Sequence, residues 1–317
     1  MARGNASSGR SAVGQRVGRR SFLVHGGRAA LGGLAAGAAG AAALRADMRP
    51  LSASQSRDAA HAASARLAER LRTQYSFQIS VDVSTIAQGL TVAAAALEGG
   101  VDIVEMGTPL LKTQGVANVV PAFREHFPDA LLLADMKTMD GGGGEARAVY
   151  TGGANIIDFL ALSGEATARS VCSVRDEIRQ RDAEVPRLAF ADILLPHQGP
   201  ASRAVEVAER MADIGVDGVG VHLQADARRL DPTLVQSGYL EDAARAVFER
   251  VGDRVVVQVV GGLSLAQAQA LAKSGLRAFV ISGNLGVADG GSRYGLPSAE
   301  VAAHVAAFVQ GVAGARR

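Results

Sequence analysis

Eight short β-rich apolar runs, their alternation with Ala-rich segments of helical length, and a glycine motif that recurs four times predict an α/β fold, a single-domain (β/α)8 TIM barrel over residues 51–317. Strand, helix, strand repeated in this way favours a parallel sheet closed on itself over an open, doubly wound one. At 317 residues the chain could hold one large core or two smaller units. The unbroken alternation selects the first, and its span matches the roughly 250 residues usual for such barrels.

"DAAHAASARLAERLRTQ" (58–74) precedes the first strand and is expected to lie as an extra helix across the bottom of the barrel. The strands follow as "FQISVDV" (77–83), "DIVEMG" (102–107), "ALLLADMK" (130–137), "IIDFLAL" (156–162), "RLAFADIL" (187–194), "GVGVHL" (218–223), "RVVVQVV" (254–260) and "AFVISG" (278–283). Between them, stretches such as "TIAQGLTVAAAALE", "SRAVEVAERMADI" and "LAQAQALAKS" repeat their apolar residues at helical spacing. The shorter motif appears as "EGGVDIV" from Glu98, "TGGANII" from Thr151, "DIGVDGV" from Asp213 and "KSGLRAF" from Lys273. In each, a helix is expected to end on a glycine able to adopt the left-handed conformation, Gly100, Gly153, Gly215 or Gly275, before the chain enters an even-numbered strand. Their separation of two βα units is that of a chain assembled from repeated pairs.

Residues 1–50 stand apart. They carry eight arginines against the single acid Asp47, a charge of +7, which leaves residues 51–317 at −5 although the whole chain is +2. Arg19-Arg20 ahead of the weakly hydrophobic "AALGGLAAGAAGAAAL" resembles a twin-arginine export signal, and Met48 in "MRPLSASQSR" is equally suited to be the true start. The extension, disordered or signal-like, is expected to take no part in the fold. The mildly acidic remainder gives little electrostatic support to nucleic-acid binding, and the absence of Trp with only 4% aromatics leaves few stacking platforms. With 48% hydrophobic and 20% charged residues the barrel has a non-membrane composition. Cys172 is the only cysteine, which excludes an intrachain disulfide and is compatible with a reducing, cytoplasmic setting.

In such a barrel reactive groups belong at the carboxyl ends of strands. Asp82, Glu105, Asp135, Lys137 and His222 stand at four such ends. In "LLADMKTMDGGGGEA" (131–145), alternation predicts that Asp135 and Lys137 share a face with Leu131 and Leu133, whose burial would force the polar pair to the rim. Singly, each has a structural explanation. Asp82, ahead of "STIAQ", is equally a helix cap, and Asp135 with Lys137 could be a structural ion pair. Five ionisable residues at one end of one barrel are better explained by a site. Glu105 and Asp135 offer hard oxygen ligands, which suits Mg2+ held with substrate oxygens and water. "VVGGLS" (259–264) and "ISGNLG" (281–286) place Gly261, Gly262, Gly283 and Asn284 in glycine-rich turns after strands 7 and 8, where barrels commonly hold a phosphate on backbone N–H groups.

At these residues the chain resembles the 3-hexulose-6-phosphate synthase family of the orotidine-monophosphate decarboxylase suprafamily. The likeness runs over residues 76–310 and rests on "DIVEMGTPLLKTQG" (102–115), "LLADMKTMDGG" (132–142), "VGVHLQAD" (219–226) and "VQVVGGLS" (257–264). Its most specific piece is Asp135-x-Lys137-x-x-Asp140. The resemblance implies an aldehyde-lyase that joins formaldehyde to D-ribulose 5-phosphate through an Mg2+-stabilised enediolate. Glu105 and Asp135 would hold the metal, Asp82 and Lys137 would orient the enediolate oxygens, and His222 would move the proton. Asp140 would reach the site of a neighbouring subunit, implying a homodimer with shared sites. The chain departs from the family where many members carry Arg after the glycine of strand 8, since Gly283 is followed here by Asn284. Backbone N–H groups or a distant cation such as Arg293 would then serve a phosphate. "LQADARRLDPTLVQSGYL" (223–240) is long for a βα loop and is expected to act as a lid. Two other functions share these features, a 3-keto-L-gulonate 6-phosphate decarboxylase and a non-catalytic sugar-phosphate binding protein. The enzymatic readings favour the cytoplasm, whereas the Arg19-Arg20 segment favours export.

Overall fold

A computed structural model describes residues 53–196 and 200–315 of the chain. The expectations for residues 1–50, the arginine pair and the alternative start at Met48 fall outside the described residues. Helix α1 (Ala53–Thr73) leads into β1 (Ser76–Val81), α2 (Ile86–Glu98), β2 (Ile103–Met106), α3 (Thr108–Gln114), α4 (Val116–His126) and β3 (Leu131–Thr138). The chain continues through α5 (Gly142–Gly152), β4 (Ile156–Leu160), a short 3-10 turn, α6 (Gly164–Arg181), β5 (Leu188–Leu195) and α7 (Ala201–Ile214). It closes with β6 (Gly218–Leu223), α8 (Ala225–Leu230), α9 (Thr233–Gln236), α10 (Tyr239–Val251), β7 (Val256–Val260), α11 (Leu265–Lys273), β8 (Ala278–Ile281) and α12 (Ser298–Gly314). The eight strands pair in parallel and in sequence order, and β8 returns to β1 to close the barrel.

The four repeated glycines do what their motif requires. Gly100, Gly153, Gly215 and Gly275 have φ of 96, 109, 101 and 104°. This left-handed turn is open to a residue without a Cβ, and each glycine lies a few residues ahead of β2, β4, β6 or β8.

Strand alternation separates two cores. Outward residues such as Ile79, Val104, Leu132, Ile157, Ala191, Val219, Val257 and Phe279 pack beneath the helices in the larger cluster. Inward residues form a smaller cluster in which Ile103, Leu133, Ile156, Leu188, Phe190, Val256 and Ala278 meet Leu67 and Leu71 of α1. Helix α1 therefore closes the amino-terminal end of the barrel, as its amphipathic pattern predicts, and each buried leucine contributes about 1.5–3 kcal/mol. Gly218 leaves room for the Phe190 ring, since a Cβ there would stand 2.6 Å from Phe190 Cε1.

Along each strand the inward face changes character from bottom to top. Ile103 is followed by Glu105, Leu133 by Asp135, Ile156 by Asp158, Phe190 by Asp192 and Val256 by Gln258, all buried. The apolar layers fill the lower barrel, and every polar inward residue is thereby lifted toward the carboxyl-terminal mouth. Strand β3 adds a deviation. Its register with β4 runs from Asp135↔Asp158 directly to Thr138↔Phe159, so Met136 and Lys137 form a bulge. Lys137 has φ 47°, a left-handed conformation that costs a residue with a Cβ roughly 1–2 kcal/mol. Simple alternation, the expected reason for Asp135 and Lys137 sharing a face, thus ends at Asp135, and the bulge re-aims Lys137.

Among the described residues no helix is long and apolar enough to cross a membrane.

Candidate functional site

At the mouth a cavity of about 580 Å³ collects the side chains that the strands raise. Asp82, Glu105, Asp135, Lys137 and His222 all line it, as do Gly261, Gly262, Gly283 and Asn284. Asp140 does not. It is exposed on the turn after β3, where its Oδ1 accepts the Gly141 N–H at 2.7 Å.

The first group of contacts spans β7, β1 and β2. Gln258 Nε2 donates to Gln78 Oε1 at 2.8 Å, and Gln78 Nε2 donates to Glu105 Oε2 at 2.5 Å. Ser80 Oγ lies 2.8 Å from Glu105 Oε1 and 3.0 Å from Asp82 Oδ2. A hydroxyl has one proton, so Ser80 can donate to only one of these carboxylates at a time. Burial pushes the Asp82 carboxyl up, and nearby Asp135 adds to the shift. Burial likewise pushes Glu105 well above the ordinary range, reinforced by Asp135 and Asp82. Asp82 is not the cap of α2, because Thr85 occupies that position and accepts the Gln88 N–H at 3.3 Å. Gly107 permits the close approach of β2 to Asp82, since a Cβ there would strike Asp82 Oδ1 and stand 2.7 Å from the Val81 carbonyl.

The second group centres on Lys137. Its Nζ lies 2.5 Å from Asp135 Oδ1 and 2.8 Å from Asp192 Oδ2. The same Asp192 oxygen meets His222 Nδ1 at 2.7 Å. Asp135 Oδ2 accepts the Thr108 hydroxyl at 2.6 Å. Burial opposes the charge on Lys137, yet Asp135, Asp192 and Asp158 hold its pKa well above the usual lysine value. Burial alone would raise Asp192, but Lys137 and His222 keep its carboxyl well below the carboxylate range. Asp158 has no such donors. Burial, then Asp192, drives it well above the ordinary value, and its Oδ1 is buried without a partner.

Asp158 and Asp192 were not singled out from the sequence. The available signal was a lone acid inside an apolar strand, in "IIDFLAL" and "AFADIL". A charge there is costly unless a site uses it. With them the mouth holds four buried carboxylates, Glu105, Asp135, Asp158 and Asp192, and Asp82 at its exposed rim, beside Lys137 and His222. Oxygens of Asp135, Asp158 and Asp192 lie within 4.8 Å of one another, and Lys137 pairs with Asp135 and Asp192 but not with Asp158. Negative charge also gathers on the side of Asp82 and Glu105, whose carboxyls Asp135 helps to raise and which no cation pairs among the described residues. A hard divalent cation among these oxygen donors suits that side.

The glycine-rich turns are tied together rather than left open. Asn284 Nδ2 reaches the carbonyls of Gly262, Leu263 and Val287 at 3.0, 3.1 and 2.8 Å, so its amide holds the two turns in register. Ser264 caps α11 in a capping box with Gln267. Arg293 lies against the turn after β8, donating to the Asn284 carbonyl at 3.3 Å, but its guanidinium is held by Asp289 at 2.7 and 3.0 Å and by the Gly291 carbonyl at 2.8 Å. The cation beside these turns that lines the cavity with no carboxylate partner among the described residues is Arg228, from the long segment after β6, which folds into α8 and α9.

Residues 75–288 match the model of the orotidine 5'-phosphate decarboxylase / HUMPS family. The 3-hexulose-6-phosphate synthase of Mycobacterium gastri is 29% identical over 213 residues, covering 67% of this chain and 92% of that protein. A solved 3-hexulose-6-phosphate synthase superposes with a TM-score of 0.58 at 27% identity, over 74% of this chain and 99% of its own. In fold, the chain is also similar to 3-keto-L-gulonate-6-phosphate decarboxylase from Vibrio cholerae O1 biovar El Tor, with a TM-score of 0.57 at 22% identity over 75% and 98% of the two chains.

Proposed function

Because this chain belongs to the orotidine 5'-phosphate decarboxylase / HUMPS family, we propose that it is a carbon–carbon lyase joining formaldehyde to D-ribulose 5-phosphate by reversible aldol addition. The observation that carries the reading is Asp192 Oδ2, which meets both Lys137 Nζ and His222 Nδ1 at the barrel mouth.

An acceptor at Nδ1 fixes the imidazole as the tautomer whose proton lies on that nitrogen, leaving Nε2 as the base. His222 Nε2 takes the proton from the carbon beside the substrate carbonyl. The electron pair moves onto the carbonyl oxygen and gives an enediolate. The ammonium of Lys137, kept charged by its acidic neighbours, stands by the developing negative charge and lowers its energy. The enediolate carbon attacks formaldehyde while the substrate carbonyl re-forms, the π pair of the aldehyde becomes an alkoxide, and His222 returns its proton to that oxygen. Asp82 orients the hydroxyl oxygens through its place beside Ser80. Glu105 and Asp135 would hold Mg2+, which when bound supplies Lewis-acid stabilisation of the oxygens that gain charge. Backbone N–H groups of Gly261, Gly262 and Gly283 would face the phosphate.

We read the active form as a homodimer in which Asp140 completes the neighbour's site. Asp140 lies outside its own cavity, and its neighbour Met139 is a large apolar side chain left 53% exposed.

The test is to incubate the protein with ribulose 5-phosphate, formaldehyde and Mg2+, following formaldehyde by colour reaction and the sugar by NMR. Stoichiometric loss of formaldehyde with appearance of a hexulose phosphate is expected. A decarboxylase would consume little formaldehyde and release carbon dioxide from a keto-acid sugar phosphate instead. A binding protein would retain the pentulose phosphate unchanged.

A further inference from the structure

Helix α8 carries a cation that the proton-transfer chemistry leaves unused. The Arg228 guanidinium lies directly against Gly262 in the turn after β7. A Cβ built on Gly262 would stand 2.9 Å from Arg228 Cζ and 3.1 Å from Nη2, and Gly262 has φ 68°. Only a glycine satisfies both the backbone and the approach.

Arg228 also lacks the partner that such a position demands. Its Nε is buried without a hydrogen bond. Among the described residues no carboxylate pairs with it, whereas the adjacent Arg229 pairs with Asp226. Burial, then Arg229, pushes its pKa down. A half-buried guanidinium with no counter-charge is costly unless a ligand supplies one. Arg228 stands where the mouth cavity meets a second cavity of about 780 Å³, and it lines both. Its fork of N–H donors matches the oxygens of a phosphate monoester. Two other nitrogen donors near the turns are occupied: Asn284 Nδ2 by three carbonyls, the Arg293 guanidinium by Asp289.

We propose that Arg228 is the guanidinium that grips the substrate's phosphate, delivered by α8 across the Gly262 turn rather than by the turn after β8. The assignment of the anion to a sugar phosphate rests on the proposed function; the anion site itself does not. Arg228 then sets the preference for phosphorylated over free sugar.

The experiment uses the full chain and inorganic phosphate as probe, reading the rise in melting temperature with phosphate concentration, beside the same titration with ribulose 5-phosphate. Wild type is expected to rise with both. Arg228→Met should lose the phosphate response, Arg229→Met should keep it, and Arg228→Lys should keep part. Gly262→Ala, which displaces the guanidinium, should reproduce the loss while Arg228 is still present. In turnover, Arg228→Met should raise KM for ribulose 5-phosphate by about tenfold or more, as expected for a lost charge-assisted pair, with a smaller change in kcat. A wild type blind to phosphate, or an Arg228→Met variant that responds like wild type, overturns the proposal. If Arg228→Met does not fold by circular dichroism, Arg228→Lys and Gly262→Ala decide by the same criterion. A phosphate response that depends on Arg228 in a protein that never consumes formaldehyde supports the anion site and removes the aldol reading alone.

Discussion

Lys137 Nζ sits 2.8 Å from Asp192 Oδ2, and that oxygen is 2.7 Å from His222 Nδ1. One carboxylate oxygen from β5 thus joins Asp135 in holding the charge of a lysine on β3 and sets the tautomer of a histidine on β6. Asp192→Asn removes the charge and offers an amide where an acceptor is needed. Its kcat is expected to fall about 10²–10⁴-fold, with little change in KM, measured as formaldehyde consumption by a variant whose circular dichroism matches wild type.

Lys137 can be separated into its ammonium and its backbone. Both Lys137→Ala and Lys137→Gly should abolish turnover, since each removes the ammonium beside the reacting oxygens. They should differ in stability. The left-handed φ of 47° favours glycine over alanine by about 1 kcal/mol, so urea unfolding should place the glycine variant above the alanine one. Equal midpoints would show that the bulge relaxes in the variants.

Removal of divalent metal should silence the enzyme reversibly. Dialysis against a chelator is expected to abolish formaldehyde consumption and Mg2+ to restore it. Glu105→Gln keeps the shape but withdraws one charge from the Asp82, Glu105 and Asp135 group. It should raise the Mg2+ concentration needed for half-maximal rate, read from a Mg2+ titration at saturating sugar phosphate.

If Asp140 serves the neighbouring site, two dead variants should rescue each other. Asp140→Asn and Lys137→Ala, each inactive alone, should recover partial activity after joint unfolding and refolding, because every mixed dimer contains one site with neither defect and one with both. No recovery would place Asp140 outside catalysis or each site within one subunit.

The stopper at the barrel's amino-terminal end is testable by stability alone. Leu71 is buried to 1% exposure among inward-facing strand residues. Leu71→Ala should cost about 2–5 kcal/mol in denaturant unfolding, and the mouth, at the far end of the strands, should keep its KM.

The order of strands and the closing helix were legible because both depend on short-range pattern. The glycines before β2, β4, β6 and β8 announce helix ends, and the "RLAERL" stripe announces an apolar face. The mouth was legible in part. Asp82, Glu105, Asp135, Lys137 and His222 terminate strands and could be placed by that rule, whereas Asp158 and Asp192 sit inside apolar runs and resemble ordinary strand residues. Nothing local marks the bulge at Met136 and Lys137, which exists because β3 must be two residues longer than its partner at one point of the register. Arg228 was hidden for another reason. Its approach to Gly262 depends on how a long segment folds back over the turn, a contact between residues 34 positions apart, and Arg293 was nearer in sequence to the turn after β8 but is bound to Asp289.

The wedge of Leu67 and Leu71 also dictates traffic. A barrel corked at one end has a single doorway, so on the proposed reaction sugar phosphate, aldehyde and product would all pass the same rim. The small aldehyde must slip in beside the bound sugar, whereas accumulated product should compete with incoming sugar rather than slow the chemistry behind it.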